Sequence, residues 1–378
     1  MINKERLTNL FMRMVSIDSV SGQEQALSLE IQKIARELGA VCQMDQSDKA
    51  TGSNTGNLVL KFKGNRSASP LLLSAHMDTV EPGHGIKPRL RNGIFTSDGS
   101  TVLGADDKSA IAIILEVITV LMEKRLPHCP LEFVLTTCEE IGLQGAKHFD
   151  FNLISATQGY VLDTSDTGII VNRAPSANRL EFKIIGKDAH AGVAPEDGVN
   201  AIYYASKAIA NLELGRIDHE TTCNIGVITG GVATNIVPSV VTAHGEVRSH
   251  NIEKLQAVTD RMLKSFQNAV KLKIENESES EFPRLEYTIE NDFPLTDIPE
   301  SHPVITIAQQ AAKNLGRSLR LKSTGGGSDA NIFFKNGIMA GVIGTGMTDM
   351  HTVRESIKLE DMVQTANLLL EIIRLHSE

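Results

Sequence analysis

Three short apolar runs, Pro70–Ala75, Leu131–Thr137 and Gly159–Leu162, each soon give way to side chains that can hold a proton or a metal: His76, the pair Glu139 and Glu140, and Asp163. Runs this short, flanked by Gly, Asn and Ser, predict strands. They alternate with stretches whose apolar spacing is helical, at 3–15, 23–38 and about 109–124, so this part of the chain predicts a doubly wound α/β sheet. Open sheets of this kind bind ligands beyond the carboxyl ends of their strands. The topology that buries the runs therefore gathers their terminal residues on one edge.

The adjacent carboxylates at 139 and 140 need a further condition. Neighbouring side chains of a strand point to opposite faces, so both can serve one pocket only if the strand ends beneath them and the chain bends. Gly142 permits that bend. Such a pair is either a metal ligand beside a general base or two solvated charges at the start of a loop. Two more groups join the same edge. Asp106, in GADDK, opens the apolar helix, where an anion is favoured, and His351 lies just beyond the apolar run 340–343. All six are types that bind hard or borderline metals. Asp78, two residues after His76, lies on the same side of an extended chain and can accept the second imidazole N–H, fixing the tautomer for metal binding.

A chain of 378 residues exceeds a comfortable single core and predicts two domains. The pattern changes near Asn178. RLEFKIIG alternates as a half-buried antiparallel strand does, with further strands near 222–229, 240–248 and 284–289 and helices near 197–212 and 251–272. We therefore expect residues 178–290 to form an inserted α+β domain, a four-stranded antiparallel sheet with two helices. Residues 1–177 and 291–378 then form one discontinuous α/β domain with a mixed, mostly parallel sheet between helices. Within the insert, ENESESE (275–281) predicts a solvated acidic loop.

Composition removes some function classes. A formal charge of -9 argues against nucleic-acid binding, which needs a clustered basic face. The N-terminus lacks the apolar core of a signal peptide, and the longest apolar segment, Ile111–Met122, is too short to cross a membrane and carries Glu116. Four cysteines spread without a CxxC pair predict free thiols in a reducing, cytoplasmic compartment.

AHMDTV, GADDKSA, CEEIG, VLDTS and the late GMTDMH, spread from His76 to His351, resemble the dizinc metallopeptidase family that contains peptidase T, glutamate carboxypeptidases, desuccinylases and aminoacylases, and within it most of all the peptidase T-like group. The resemblance implies a zinc-binding catalytic domain with the insert as a lid or dimerisation domain. It implies one cation held by His76, Asp106 and Asp163 and another by Asp106, Glu140 and His351, with Asp106 bridging. Zinc is the expected ion, with cobalt or manganese as alternatives. Glu139 would be the general base, with Asp78 behind His76, and the Asp106–Asp107 peptide is a candidate for the cis form. His190, in GKDAHAG, resembles the lid histidine that stabilises the oxyanion and in dimeric members reaches the neighbouring subunit, which implies a homodimer through the insert. Asn235 and Arg248 resemble lid residues that contact substrate, and Ser328, Asp329 and Asn331 of GGGSDAN are further pocket candidates.

One position departs from the pattern. The arginine that peptidase T and the glutamate carboxypeptidases carry before the Gly-Gly of this loop is Gly325 here, so a bidentate partner for a substrate carboxylate is missing at that point. The expectation is a zinc-dependent, tripeptidase-like aminopeptidase acting on short peptides. An amidohydrolase of N-acyl amino acids is the enzymatic alternative. A non-catalytic metal- or peptide-binding protein could dispense with the base, whereas this chain keeps Glu139 with all five ligands.

Overall fold

The computed structural model describes residues 2–274 and 281–378, so all of the expected acidic loop but Glu281 lies outside the described residues. The chain divides into two compact units, one of residues 1–173, 296–324 and 328–378 and one of residues 174–295 with 325–327.

The first unit opens with α1 (Lys4–Val15) and α2 (Gln25–Glu37), then β1 (Val41–Met44), β2 (Leu58–Phe62) and β3 (Leu71–His76). After α3 (Ala105–Glu123) come β4 (Leu131–Thr136), β5 (Gln158–Val161) and β6 (Ile169–Ala174). The second unit holds β7 (Ser176–Ile185), α4 (Ala201–Ala210), β8 (Thr221–Gly230), β9 (Val240–Ser249), α5 (Ile252–Ile274) and β10 (Arg284–Phe293). The first unit resumes with β11 (Thr296–Asp297), α6 (Pro303–Asn314), β12 (Arg320–Ser323), α7 (Asp329–Lys335), β13 (Met339–Ile343) and α8 (Leu359–His376).

Among the described residues the sheet of the first unit runs β1-β2-β4-β3-β5-β13-β6-β11, with β12 beside β6. Its centre, β4-β3-β5-β13, is parallel throughout. The flanking pairs β1–β2, β2–β4 and β13–β6 are antiparallel, so the sheet is mixed. Both faces are covered, as a parallel centre requires. Leu71, Leu73 and Ala75 of β3 and Leu131, Phe133 and Leu135 of β4 pack into one core with α1, α3, α6 and α8, while Leu72 and Val134 face a second core with Phe333 of α7. Each fully buried Leu or Phe contributes ~1.5–3 kcal/mol by burial. The helices obey the same economy: Leu7, Phe11, Met14 and Val15 form the buried stripe of α1, and the Asn3 side chain caps it by accepting from Arg6 N–H. β1 gave no signal in the sequence, because a four-residue edge strand with mostly exposed side chains shows no apolar alternation.

The second unit is an antiparallel sheet in the order Gly215–Arg216, β8, β9, β7, β10. Its four long strands match expectation, and the two-residue edge adds a fifth. Leu180, Phe182 and Ile184 of β7 pack with Val241, Ala243 and Val247 of β9 beneath Ala205 of α4 and Met262 and Phe266 of α5. Phe182 and Phe266 stack with centroids 4.1 Å apart.

The joins fall at Arg173/Ala174 and Leu295/Thr296, not at 177/178 and 290/291. Pairing is the reason: Ala177 of β7 is already opposite Phe293 of β10, so both strand ends belong to the insert. Gly325–Gly327 also belongs to the insert's unit, where the Gly325 carbonyl accepts from the Arg248 guanidinium at 3.1 Å.

Candidate metal centre

The parallel centre of the sheet decides the layout. His76 is the last residue of β3, opposite Thr136, the last of β4. Asp163 follows β5 by two residues, and the chain after β13 leads through Gly344 towards His351. All four strands end on one edge. Beyond Thr136 the chain reverses: Cys138 lies at φ 52 and Gly142 at φ 99, and the N–H groups of Gly142 and Leu143 both donate to the Glu139 carbonyl. A turn of this kind lets both glutamates face the same side.

α3 supplies the centre. Gly104, at φ 73, turns the chain, and Asp106 and Asp107 depart from helical geometry before the regular helix begins. The Asp106–Asp107 peptide is cis. The Asp106 carboxylate spans two imidazoles, with Oδ1 at 3.1 Å from His76 Nε2 and Oδ2 at 3.1 Å from His351 Nε2. His351 Nε2 also lies 3.0 Å from Glu140 Oε2. Ligand atoms of His76, Asp106 and Glu140 all lie within 4.8 Å of one another.

The charges tell the same story. Burial raises Glu139 well above the usual carboxylate range, and the neighbouring Asp163, Asp329 and Glu140 carboxylates add to it. Burial, then the charge of Asp106, does the same to Asp163. Burial opposes ionisation of Asp106 too, but its bonds to His351 and His76 win and hold it well below that range. His351, bonded to Asp106 and Glu140, is raised to about 10. A concentration of carboxylates this dense asks for positive charge, and the two imidazoles supply it only by being protonated.

Divalent cations fit these residues. Glu140 Oε1 and Asp107 Oδ1 are buried acceptors with no partner among the described residues, and orphaned carboxylate oxygens beside imidazole nitrogens are the donor set of zinc and similar ions. Asp163 stands within their electrostatic reach but outside the tightest trio.

Asp78 is placed differently from expectation. His76 Nδ1 meets the Asp78 main-chain carbonyl at 2.9 Å, with the carboxylate farther away at 3.5 Å. That carboxylate accepts from Ser21 Oγ and from the N–H groups of Glu139 and Glu140. A carbonyl two residues along can serve the imidazole when a short loop curls back, which spacing alone does not reveal.

His190, Asn235 and Arg248 lie in the second unit. His190 is exposed; its Nδ1 accepts from Gly192 N–H, which leaves the proton of a neutral ring on Nε2. The Asn235 carbonyl accepts from Ala191 N–H, tying its loop to that of His190. Arg248 pairs with Glu246 at 2.9 Å and lies over the Phe293 ring. Ser328 opens α7, its N–H bonded to the Asn331 side chain, and Asp329 is buried against Thr136 Oγ1, so neither is on an open surface.

Sequence reasoning missed three buried supports. Glu355 binds main-chain N–H groups around Asp106, Glu24 binds Cys138 N–H and Ser53 Oγ, and Lys108 donates to the Ile17 carbonyl. Lys108 alone could have been flagged, as a charge on the buried first turn of an apolar helix.

Known proteins can now be set beside this geometry. The profile of peptidase family M20/M25/M40 matches residues 72–375. The chain belongs to this family. As an M20-type peptidase it is an enzyme, and metal-dependent peptide hydrolysis is its chemistry. It is 38% identical to a Staphylococcus aureus protein whose crystal structure is described as that of a tripeptidase, with a TM-score of 0.94 over 100% of this chain and 99% of the other. It is 39% identical to an aminopeptidase PepT of Bacillus cereus, with a TM-score of 0.91 and full coverage of both chains. A peptidase T of Fusobacterium nucleatum is 26% identical over 99% of this chain and 89% of its own length.

Proposed function

We propose that the enzyme removes the N-terminal residue from short peptides, tripeptides above all, with two zinc ions at the sheet edge. The observation that carries this is the whole-chain likeness to the Staphylococcus aureus tripeptidase, on a chain that keeps the full ligand set. His76, Asp106 and Asp163 would hold one ion, and Asp106, Glu140 and His351 the other, with cobalt or manganese able to substitute. When bound, such a pair polarises a scissile carbonyl and makes water more acidic.

Glu139 takes the proton of the attacking water and hands it to the leaving amine. Without cations, burial among other carboxylates raises its pKa, and positive charge bound beside it would lower it towards the ionised form a base needs. Asp78, through the N–H of Glu139, keeps that carboxylate aimed. To His190 we assign the oxyanion, because its Nε2 proton is free to be donated. To Asn235 and Arg248 we assign the substrate, with Arg248 taking the carboxylate that Gly325 cannot. Ser328 and Asp329, at the buried start of α7, are the further candidates for contact with the substrate.

A homodimer through the inserted unit and a cytoplasmic location belong to the same proposal. β8 pairs with Gly215–Arg216 only at Cys223 and Thr222, and farther along it exposes Val227 and Ile228. Such an edge favours a second strand. The four cysteines are free, three of them buried, and no helix among the described residues is long and apolar enough to cross a membrane.

The test is a metal-loaded assay of free tripeptides, dipeptides and N-acyl amino acids. Tripeptides with a free amino group should give the highest kcat/KM. Strong preference for acylated amino acids would overturn the assignment in favour of an amidohydrolase.

A further inference from the structure

Glu355 lies four residues after His351 and is 1% exposed. Its carboxylate is occupied by main-chain donors: Oε2 accepts from Leu103 at 2.8 Å and Gly104 at 2.7 Å, and Oε1 accepts from Asp106 at 2.9 Å. The left-handed Gly104 turns successive N–H groups inward, and such a concavity of donors is an anion site. The chain fills it with its own carboxylate. That carboxylate arrives at the base of the loop between Met347–Thr348 and Ser356–Lys358, two paired strands, and the same loop carries His351.

His351 needs such a fastening. Its backbone is at φ 61, its side chain is 53% exposed, and among the described residues it pairs in the centre with the Asp106 and Glu140 carboxylates. The Glu140 oxygen is itself on a turn. Burying a carboxylate is costly unless its lone pairs are met, so an acid fully spent on three N–H groups around one metal ligand marks a place where backbone position matters.

We propose that Glu355 is the positioning residue that presets the second cation site, by clasping the loop of His351 to the main chain of Asp106. This rests on the two-cation assignment above. The clasp acts on the site made by Asp106, Glu140 and His351. Glu355 reaches the site made by His76, Asp106 and Asp163 through the N–H of the shared Asp106, whereas His76 ends β3 and Asp163 follows β5, so the other two ligands of that site are held by strand ends. Glu355 itself need touch neither ion nor substrate.

The experiment titrates metal-free wild type, Glu355→Ala and Glu355→Gln with Zn2+ against a chromophoric chelator, and with Co2+ to follow the d–d bands of each site. Wild type should bind two ions. If it binds fewer, the two-cation assignment fails whatever Glu355 does. Given two ions in wild type, Glu355→Ala should keep the first affinity within a few-fold and weaken the second by ~10–100-fold, the usual effect of losing a group that orients a ligand. The second Co2+ band should change while the first does not. Glu355→Gln should fall between, because one end of the amide still accepts from Leu103 and Gly104 while the other places NH2 against Asp106 N–H. Glu355→Gln preserves size, so it decides the matter if the alanine variant does not fold. Two ions bound with wild-type affinities by the variants would overturn the proposal. So would equal weakening of both sites with a lowered melting temperature of the metal-free chain, since that is a general structural defect.

Discussion

The Asp78 carboxylate accepts the main-chain N–H of Glu139 at 2.9 Å and, with its other oxygen, that of Glu140 at 3.1 Å. The residue two places after the first histidine thus holds the turn that carries both glutamates, while its carbonyl orients the imidazole. One aspartate ties the end of β3 to the end of β4. Asp78→Asn tests the arrangement, since its NH2 must face an N–H donor. We expect kcat to fall ~10–100-fold, as for other groups that orient metal-site residues, with less change in KM. An equal loss carried wholly by KM would contradict a role in aiming Glu139.

Glu139→Gln keeps the volume of the side chain and removes its basicity. Bound metal, measured by elemental analysis, should stay at the wild-type level. Hydrolysis should fall by at least the ~10²–10⁴-fold typical of a lost general base. Unchanged turnover of a good substrate would sink the mechanism.

Arg248 pairs with Glu246 and the Gly325 carbonyl, and among the described residues its Nε meets no acceptor. If it takes the substrate carboxylate, Arg248→Ala should raise KM ~10–100-fold, the worth of a hydrogen bond to a charged group. Peptides with a C-terminal amide should be much less affected, and equal loss on acid and amide substrates would remove Arg248 from recognition.

Burial lowers Lys108 to about 7, whereas an unfolded lysine titrates at about 10.4. Between these values the unfolded chain binds a proton that the folded chain does not, so this group makes stability rise with pH across that window. Below it, both states are protonated and the buried charge is a full penalty. Lys108→Met removes the titration. In metal-free protein followed by denaturant unfolding, the stability of the variant relative to wild type should therefore decline as pH rises from neutral towards 10.4. A difference that does not vary with pH would show that Lys108 keeps its ordinary pKa.

Much of the fold was legible because β3, β4 and β5 are largely apolar on both faces, as the strands of a parallel sheet covered on both sides are, and because they alternate with helical stretches. Each such run ends at the carboxyl edge of the sheet, and His76 and Glu139, both still buried, stand there. The helices were legible from stripes such as Leu7, Phe11 and Met14. Exposed or very short elements, such as β1 and the Gly215–Arg216 edge, carried no such pattern.

What the sequence by itself determined was the inventory at the sheet edge: two imidazoles, the carboxylates around them, and the strand ends that bring them near one another. The alternation of strands and helices suffices for that, because strands joined in parallel bring their carboxyl ends to one edge. The tertiary structure decided how the inventory is held. That Glu355 clasps Asp106, that Asp78 serves Glu139 and Glu140, and that Gly325–Gly327 belongs with Arg248 depend on main-chain N–H and C=O groups meeting across long separations in sequence. Every residue but proline carries both groups alike, so no pattern of side-chain types can say which of them will meet.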